Sequence, residues 1–143
     1  MSFDGLEHVL PVRVYYEDTD FTGVVYHASY VRFFERGRTE FLREIGVEHA
    51  DLLALPEPCA FAVTQIAVAF RKAARVDDAL EVRTAYCRGR GVRIDAVQRI
   101  LRAGELIAEA KVEVICIRLD GRPRRPPPEL TTRLTPMLTR AAP

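Results

Sequence analysis

Asp20, Gly23 and His27 have the residue types and the spacing to act on a carbonyl group. Asp20 ends an acidic loop, Glu17-Asp18-Thr19-Asp20, and His27 follows seven positions later, where a helical pattern is about to begin. Gly23 between them lets the backbone turn sharply and leaves room for a ligand near the amides. Free N–H groups at a helix start can hold a developing oxyanion. A carboxylate beside them can attack the carbonyl carbon or activate water. That chemistry is acyl transfer. The same residues also have blander readings. Asp20 can serve as a plain loop or helix cap, and Asp18 as an Asx residue bonding the turn backbone. His27 is either a general base or a helix-entry residue whose backbone N–H matters and whose side chain packs. Glu35, two turns further on, belongs to a solvated helix face unless it points into a cleft.

Few other side chains compete for a chemical role. His8 and His49 lie in poorly patterned segments and read as surface residues. No two histidines have metal-ligand spacing, so no metal is expected. GxSxG, P-loop and GxGxxG motifs are absent. The three cysteines, Cys59, Cys87 and Cys116, are odd in number and lack CxxC spacing, which argues against a disulfide framework or a zinc site. Cys87 and Cys116 fall in strand-like runs as small apolar residues. Basic residues cluster at Arg71-Lys72-Arg75, Arg88-Arg90-Arg93 and Arg122-Arg124-Arg125, either solvated or holding the phosphates of a nucleotide-like ligand. A formal net charge of +1, with no aromatic interleaving in those clusters, gives no sign of nucleic-acid binding.

The elements that must position these groups are legible from periodicity. With 143 residues, 48% of them hydrophobic, the chain has the size of one domain, 1–143, and can bury a real core. His8 to Glu17 alternates as a strand, with Val12, Val14 and Tyr16 on one face; residues 1–7 are expected to fray. A long amphipathic helix begins near Ser29, its N-cap, with an inner stripe at Tyr30, Phe34, Gly37, Phe41 and Ile45 and an αL stop at Gly46. Arg36 and Glu40 are spaced to pair on its outer face. Residues 47–59 read as irregular. Phe61 to Phe70 is a second strand, more apolar throughout than the first, and reads as central in its sheet. Two further strands follow, one carrying Leu80, Val82, Thr84 and Tyr86 inward, the next Val92, Ile94, Ala96 and Ile100. Gly89 and Gly91 mark a turn between them, and Ala103-Gly104-Glu105 a hairpin. The last strand puts Leu106, Ala108, Ala110, Val112, Val114 and Cys116 on one face. A short helix over Glu129 to Leu138, broken near Pro136, ends the chain. Hairpin connections make the sheet mostly antiparallel. One helix can cover one face of it if the sheet curls, and an edge is left for solvent or a second subunit. There is no apolar N-terminal targeting segment and no membrane span, so a cytoplasmic location is expected.

The segment VRVYYEDTDFTGVVYHASYVRFFERGRTEFL and the final run AEAKVEVICIRLDGRPRR resemble the hotdog-fold acyl-CoA thioesterases of the 4-hydroxybenzoyl-CoA thioesterase type. Within them the chain is most similar to the YbgC-like branch associated with the Tol-Pal cell-envelope system. The resemblance spans most of the chain. It implies an α+β fold, a curled five-stranded antiparallel sheet wrapped around one long central helix. It implies homodimers paired edge to edge, or homotetramers built from them. It points to acyl-CoA as substrate with no separate cofactor, coenzyme A being part of the substrate. Asp20 would be the catalytic carboxylate, as nucleophile or general base. The amide at His27 would polarise the thioester carbonyl, with a contribution from the His27 side chain. Gly23, Tyr26 and, by region, Arg88, Arg90 and Arg124 would contact substrate, and Tyr16 and Tyr26 would line the acyl pocket.

Two rival readings fit parts of the same pattern. Hotdog dehydratases and hydratases use a His with an acidic partner well along the helix, not this acidic loop; water addition to an enoyl-CoA separates the two. A non-catalytic module gripping acyl carrier protein or a lipid-synthesis enzyme would not need Asp20, Gly23 and His27 together.

Overall fold

The computed structural model describes residues 2–140. Strands β1 (Phe3–Asp4) and β2 (Glu7–Arg13) lead through the acidic loop into helix α1 (His27–Glu44). A short helix α2 (His49–Leu53) follows, then strands β3 (Ala60–Phe70), β4 (Ala79–Arg88), β5 (Ile94–Arg102) and β6 (Glu105–Ile117), and helix α3 (Pro128–Leu134). The six strands form one antiparallel sheet in the order β1-β2-β4-β5-β6-β3. The expected helix-on-sheet architecture is present, with six strands where five were expected.

Helix α1 is held because its stripe fits the inner face of the sheet. Tyr30, Phe33, Phe34 and Phe41 are all buried, and removing each phenyl ring from water contributes ~1.5–3 kcal/mol. Facing them are Leu80, Val82 and Tyr86 of β4, Ala96 and Ile100 of β5, and Ala108, Ala110, Val112 and Val114 of β6, all buried. Gly37 is the point of closest approach. A Cβ there would meet Thr84 Oγ1 and Val82 Cγ1, both at 2.7 Å, and Gln98 Nε2 at 3.1 Å. The turns behave as their residues dictate: Gly46 stops the helix at φ +90°, and Ala103 and Gly104 both take positive φ in the β5–β6 hairpin.

Several expectations are corrected. Residues 2–7 do not fray: β1 pairs with β2, and Phe3 packs edge-on against His8 and Phe41; Met1 lies outside the described residues. His8 is therefore buried rather than on the surface, with Nε2 2.9 Å from Glu44 Oε2. Strand β2 ends at Arg13, and Tyr16 is 85% exposed, because the chain turns into a 3₁₀ turn at Tyr16–Asp18. Helix α1 starts at His27, not Ser29. Tyr26 is the extended N-cap residue, and the Ser29 hydroxyl donates back to Asp18 O at 3.0 Å. Residues 47–59 contain α2. Arg36 does not pair with Glu40, which pairs with Arg43; the Arg36 guanidinium lies over the Phe33 ring. Strand β3 is an edge strand, not a central one. Its Phe61 and Val68 pack on the core, while Val63, Ile66 and Phe70 are exposed, so apolarity on two faces came from two different causes.

All three cysteines are free and buried. Burial pushes the Cys116 thiol up to about 12, which keeps it an inert apolar filler.

Gly37→Ala tests the close approach. Val82 and Thr84 are β-branched and cannot swing away. Overpacking of ~1–3 kcal/mol is set against the roughly 1 kcal/mol that alanine gains in a helix, so urea unfolding should show a net loss of up to about 2 kcal/mol.

Candidate active site

The loop between β2 and α1 is pinned to its surroundings by backbone bonds. Asp18 O accepts the Tyr26 amide at 2.9 Å, and Ala74 O, beyond β3, accepts the Val25 amide at 2.8 Å. Within the loop, Asp20 N donates to Val24 O at 2.8 Å and Gly23 N to Asp20 O at 3.1 Å. Gly23 sits at φ +82°, a conformation that glycine adopts without strain. The loop is thus a tight turn whose two ends are tied to the first turn of α1 and to the β3–β4 connection.

This closure sorts the two aspartates. Asp18 is buried, and its Oδ2 accepts the Tyr15 amide at 2.8 Å. Its Oδ1 lies 4.0 Å from Arg32. It braces the loop, as the Asx reading expected. Asp20 is half-buried at the mouth of the turn. Its Oδ1 accepts both the Thr22 hydroxyl, at 2.6 Å, and the Thr22 amide, at 2.8 Å. The Thr22 hydroxyl, then the Thr22 amide, hold the Asp20 carboxyl below its ordinary range. The Val24 amide and the charge of His27 add to this.

His27 opens α1 and is exposed. Its ring stacks against Tyr26, with centroids 4.3 Å apart, and stands edge-on to Phe70, at 6.5 Å. Among the described residues, neither the His27 nor the Ala28 amide finds a backbone or side-chain acceptor. They are orphan donors at the positive end of an 18-residue helix. Tyr30 backs this end of the site. Its hydroxyl accepts the Ala74 amide at 3.2 Å, and its ring lies 5.6 Å from Phe70.

Asp20, Gly23, Tyr26 and His27 therefore gather at one end of α1. Arg88, Arg90 and Arg124 do not join them. Arg88 ends β4, nine residues from Ala79 at the end nearer the loop, which puts it about 30 Å along the strand. Arg124 is committed to the chain before β3, donating to Glu57 O at 2.7 Å. Glu35 is exposed and accepts the Thr39 hydroxyl at 2.7 Å, while Thr39 Oγ1 lies 3.2 Å from Nε2 of His49, which is exposed as expected. Glu35, Thr39 and His49 line a cavity of about 160 Å³ with Arg38, Phe61 and Tyr86. It faces the Phe61 end of β3, away from the His27 end. Sequence reasoning missed Thr22 and Tyr30. A threonine two residues after an aspartate is a recognisable turn-donor pattern; the role of Tyr30 depends on Ala74, 44 positions away, and leaves no local signal.

A family model described as the thioesterase-like superfamily matches residues 14–134. The chain belongs to that superfamily. The thioesterase is 48% identical over 119 residues to an acyl-CoA thioester hydrolase YbgC of Escherichia coli O6:H1, covering 82% of this chain and 87% of that one. It is 45% identical over 109 residues to an acyl-CoA thioesterase YbgC of Haemophilus influenzae, covering 76% and 79%. A solved structure of a probable thioesterase from Bartonella henselae superposes with a TM-score of 0.82 at 41% identity, covering 85% of this chain and 99% of that one. The thioesterase has the hotdog fold that the resemblance implied. Among the described residues, no helix is long and apolar enough to cross a membrane.

Asp18→Ala should separate brace from site. It leaves the Tyr15 amide without its acceptor and should cost ~1–3 kcal/mol in urea unfolding, whereas Asp20→Asn, at a position open to water, should leave the unfolding midpoint nearly unchanged.

Proposed function

We propose that this thioesterase hydrolyses acyl-CoA to a free carboxylic acid and coenzyme A, with Asp20 as the reacting carboxylate. What supports this reading is that the Asp20 carboxyl, its ionised form favoured by Thr22 and His27, and the orphan amides of His27 and Ala28 lie at the same entry to α1. The YbgC relatives, named as acyl-CoA thioesterases, support the substrate class.

The thioester carbonyl oxygen points at the amide of His27, and the helix end stabilises the negative charge that grows there. Asp20 Oδ2 then acts by one of two balanced routes. It adds to the carbonyl carbon, the C–S bond breaks, the thiolate leaves, and water hydrolyses the resulting anhydride to restore Asp20. Alternatively, it takes a proton from water as the hydroxide adds, and the thiolate again leaves. In either route the thiolate takes up a proton, and the His27 imidazole is the donor this reading assigns. Gly23 keeps the loop open beside the thioester, and Tyr26 borders the acyl group. No resident cofactor enters either route.

Arg88, Arg90 and Arg124 lie at the wrong end of the chain to meet coenzyme A bound at the Asp20 of the same chain. They reach it from a second copy if two β3 edges pair antiparallel, which brings the Phe61 end of one strand to the Phe70 end of the other. The exposed Val63, Ile66 and Phe70 along that open edge support a homodimer. In the same reading such dimers assemble further into tetramers, in a cytoplasmic setting.

Three measurements bear on this. Thiol release from a panel of acyl-CoA esters should be detected with wild type and should fall at least ~10²-fold in Asp20→Asn with the fold retained; near-normal turnover would overturn the role of Asp20. Because the Asp20 carboxyl is held below its ordinary range, the reactive ionised form is lost only as pH falls below that range. kcat/KM should therefore stay level on the acid side of neutrality down to there. Val63→Lys, placing a charge on the open edge, should shift the protein toward monomer in sedimentation and reduce activity with it; an unchanged oligomer would count against the edge pairing.

A further inference from the structure

We propose that Thr22 is a positioning residue for Asp20, binding Oδ1 with its hydroxyl and its amide together and leaving Oδ2 as the oxygen that meets the substrate. The proposal rests on the catalytic reading of Asp20 and deepens it.

The geometry is specific. Both Thr22 donors converge on the same carboxylate oxygen, at 2.6 and 2.8 Å. Among the described residues, no hydrogen bond reaches Oδ2, and the Val24 amide acts on the carboxyl only from longer range. A free aspartate carboxylate flips about its last torsion, which is broad and roughly two-fold. Two bonds to one oxygen remove that freedom, so the other oxygen faces one way. The same bonds favour the ionised form, because each donates to the charged oxygen. The loop itself does not need the hydroxyl. Its ends are tied by the Asp18–Tyr26, Val25–Ala74 and Asp20–Val24 backbone bonds, none of which involves Thr22. Thr22 is exposed. Its hydroxyl therefore serves the carboxylate.

The charged groups around Asp20 come from three places. His27 faces it from α1 and favours its ionised form. Asp18, on the same loop, is engaged with Tyr15 and Arg32. Arg75, on the β3–β4 connection, is bridged to Val24 through the backbone and exposed. None of them replaces a hydroxyl donor on Oδ1.

The test uses the full chain. Thr22→Val keeps the shape and the amide and removes the hydroxyl; Thr22→Ser keeps the hydroxyl. Activity is read as thiol release from an acyl-CoA, and the Asp20 carboxyl is titrated by carboxyl-carbon NMR. Thr22→Val should lower kcat on the order of 10-fold with KM little changed, as expected for a lost charge-assisted bond that orients the reacting group. Its Asp20 titration should move to higher pH. Thr22→Ser should restore both. A Thr22→Val protein with wild-type kcat and an unmoved titration overturns the proposal, as does a Thr22→Ser protein as impaired as Thr22→Val. Asp20→Asn keeps the two claims apart. If that variant stays active, the catalytic reading of Asp20 falls, and with it the positioning role. If it is inactive while Thr22→Val matches wild type, the role of Thr22 falls alone.

Discussion

The seat of α1 on the inner face of the sheet is the constraint on which the site depends. At Gly37 the helix backbone comes so close to β4 and β5 that no side chain fits between them. From there the chemistry is set by geometry, since a rigid helix pinned at its middle has its N-terminus pinned too. The orphan amides of His27 and Ala28 stand where the sheet holds them. In the proposed reaction they would need no reorganisation as charge develops on a bound carbonyl, and lack of reorganisation is what makes such donors effective.

The contact at Gly37 is polar as well as tight. Gln98 Nε2 donates to Phe34 O and to Thr84 Oγ1, each at 2.8 Å, and Gln98 Oε1 accepts from Arg38 at 3.0 Å. Tyr86 adds a hydroxyl bond to Arg38 O at 3.2 Å. Burial pushes the Arg38 guanidinium down and the Tyr86 phenol up. A network of this kind contributes little net stability compared with apolar packing. It does set register: sliding the helix by one residue would strand several buried donors, each costing about 1–3 kcal/mol. Apolar burial thus supplies the adhesion, and the buried hydrogen bonds select one placement of the helix.

The sheet has unlike edges. At one, β1 covers the end of β2, and Arg83 and Arg99 on the outer face gather Asp4, Glu7 and Glu81 into a charged network. At the other, β3 presents eleven residues of backbone with exposed Val63, Ile66 and Phe70. Charge discourages strand addition at one edge, and the apolar open ladder invites it at the other. The Asp20 loop and the arginine-rich loops lie at opposite ends of the sheet, so the proposed pairing at the β3 edge is the arrangement that would unite them.

Much of this was legible in one dimension. Asp20, Gly23 and His27 announced a turn feeding a helix, because residue type governs turn and cap locally. The faces of β4 and, from Ala108 onward, of β6 could be read from alternation, whereas at the start of β6 Ile107 rather than Leu106 is the buried residue; Gly46 and Ala103-Gly104 could be read from their tolerance of positive φ. Local rules failed where a distant segment decided the outcome. His8 looked like a surface residue until β1 folded over it. Phe61 to Phe70 looked central because apolarity does not say whether a neighbour is a strand of the same chain or an open edge. Ser29 looked like a helix cap, but the Asp18 carbonyl claimed its hydroxyl. Thus the sequence by itself determined which residues could do chemistry and which stripe of α1 would be buried, since both follow from side-chain type and period. Only the tertiary structure decided which aspartate is buried as a brace and which stays at the cleft, and which end of the molecule holds the arginines. Those answers depend on contacts between segments far apart in the chain, and no local pattern encodes them.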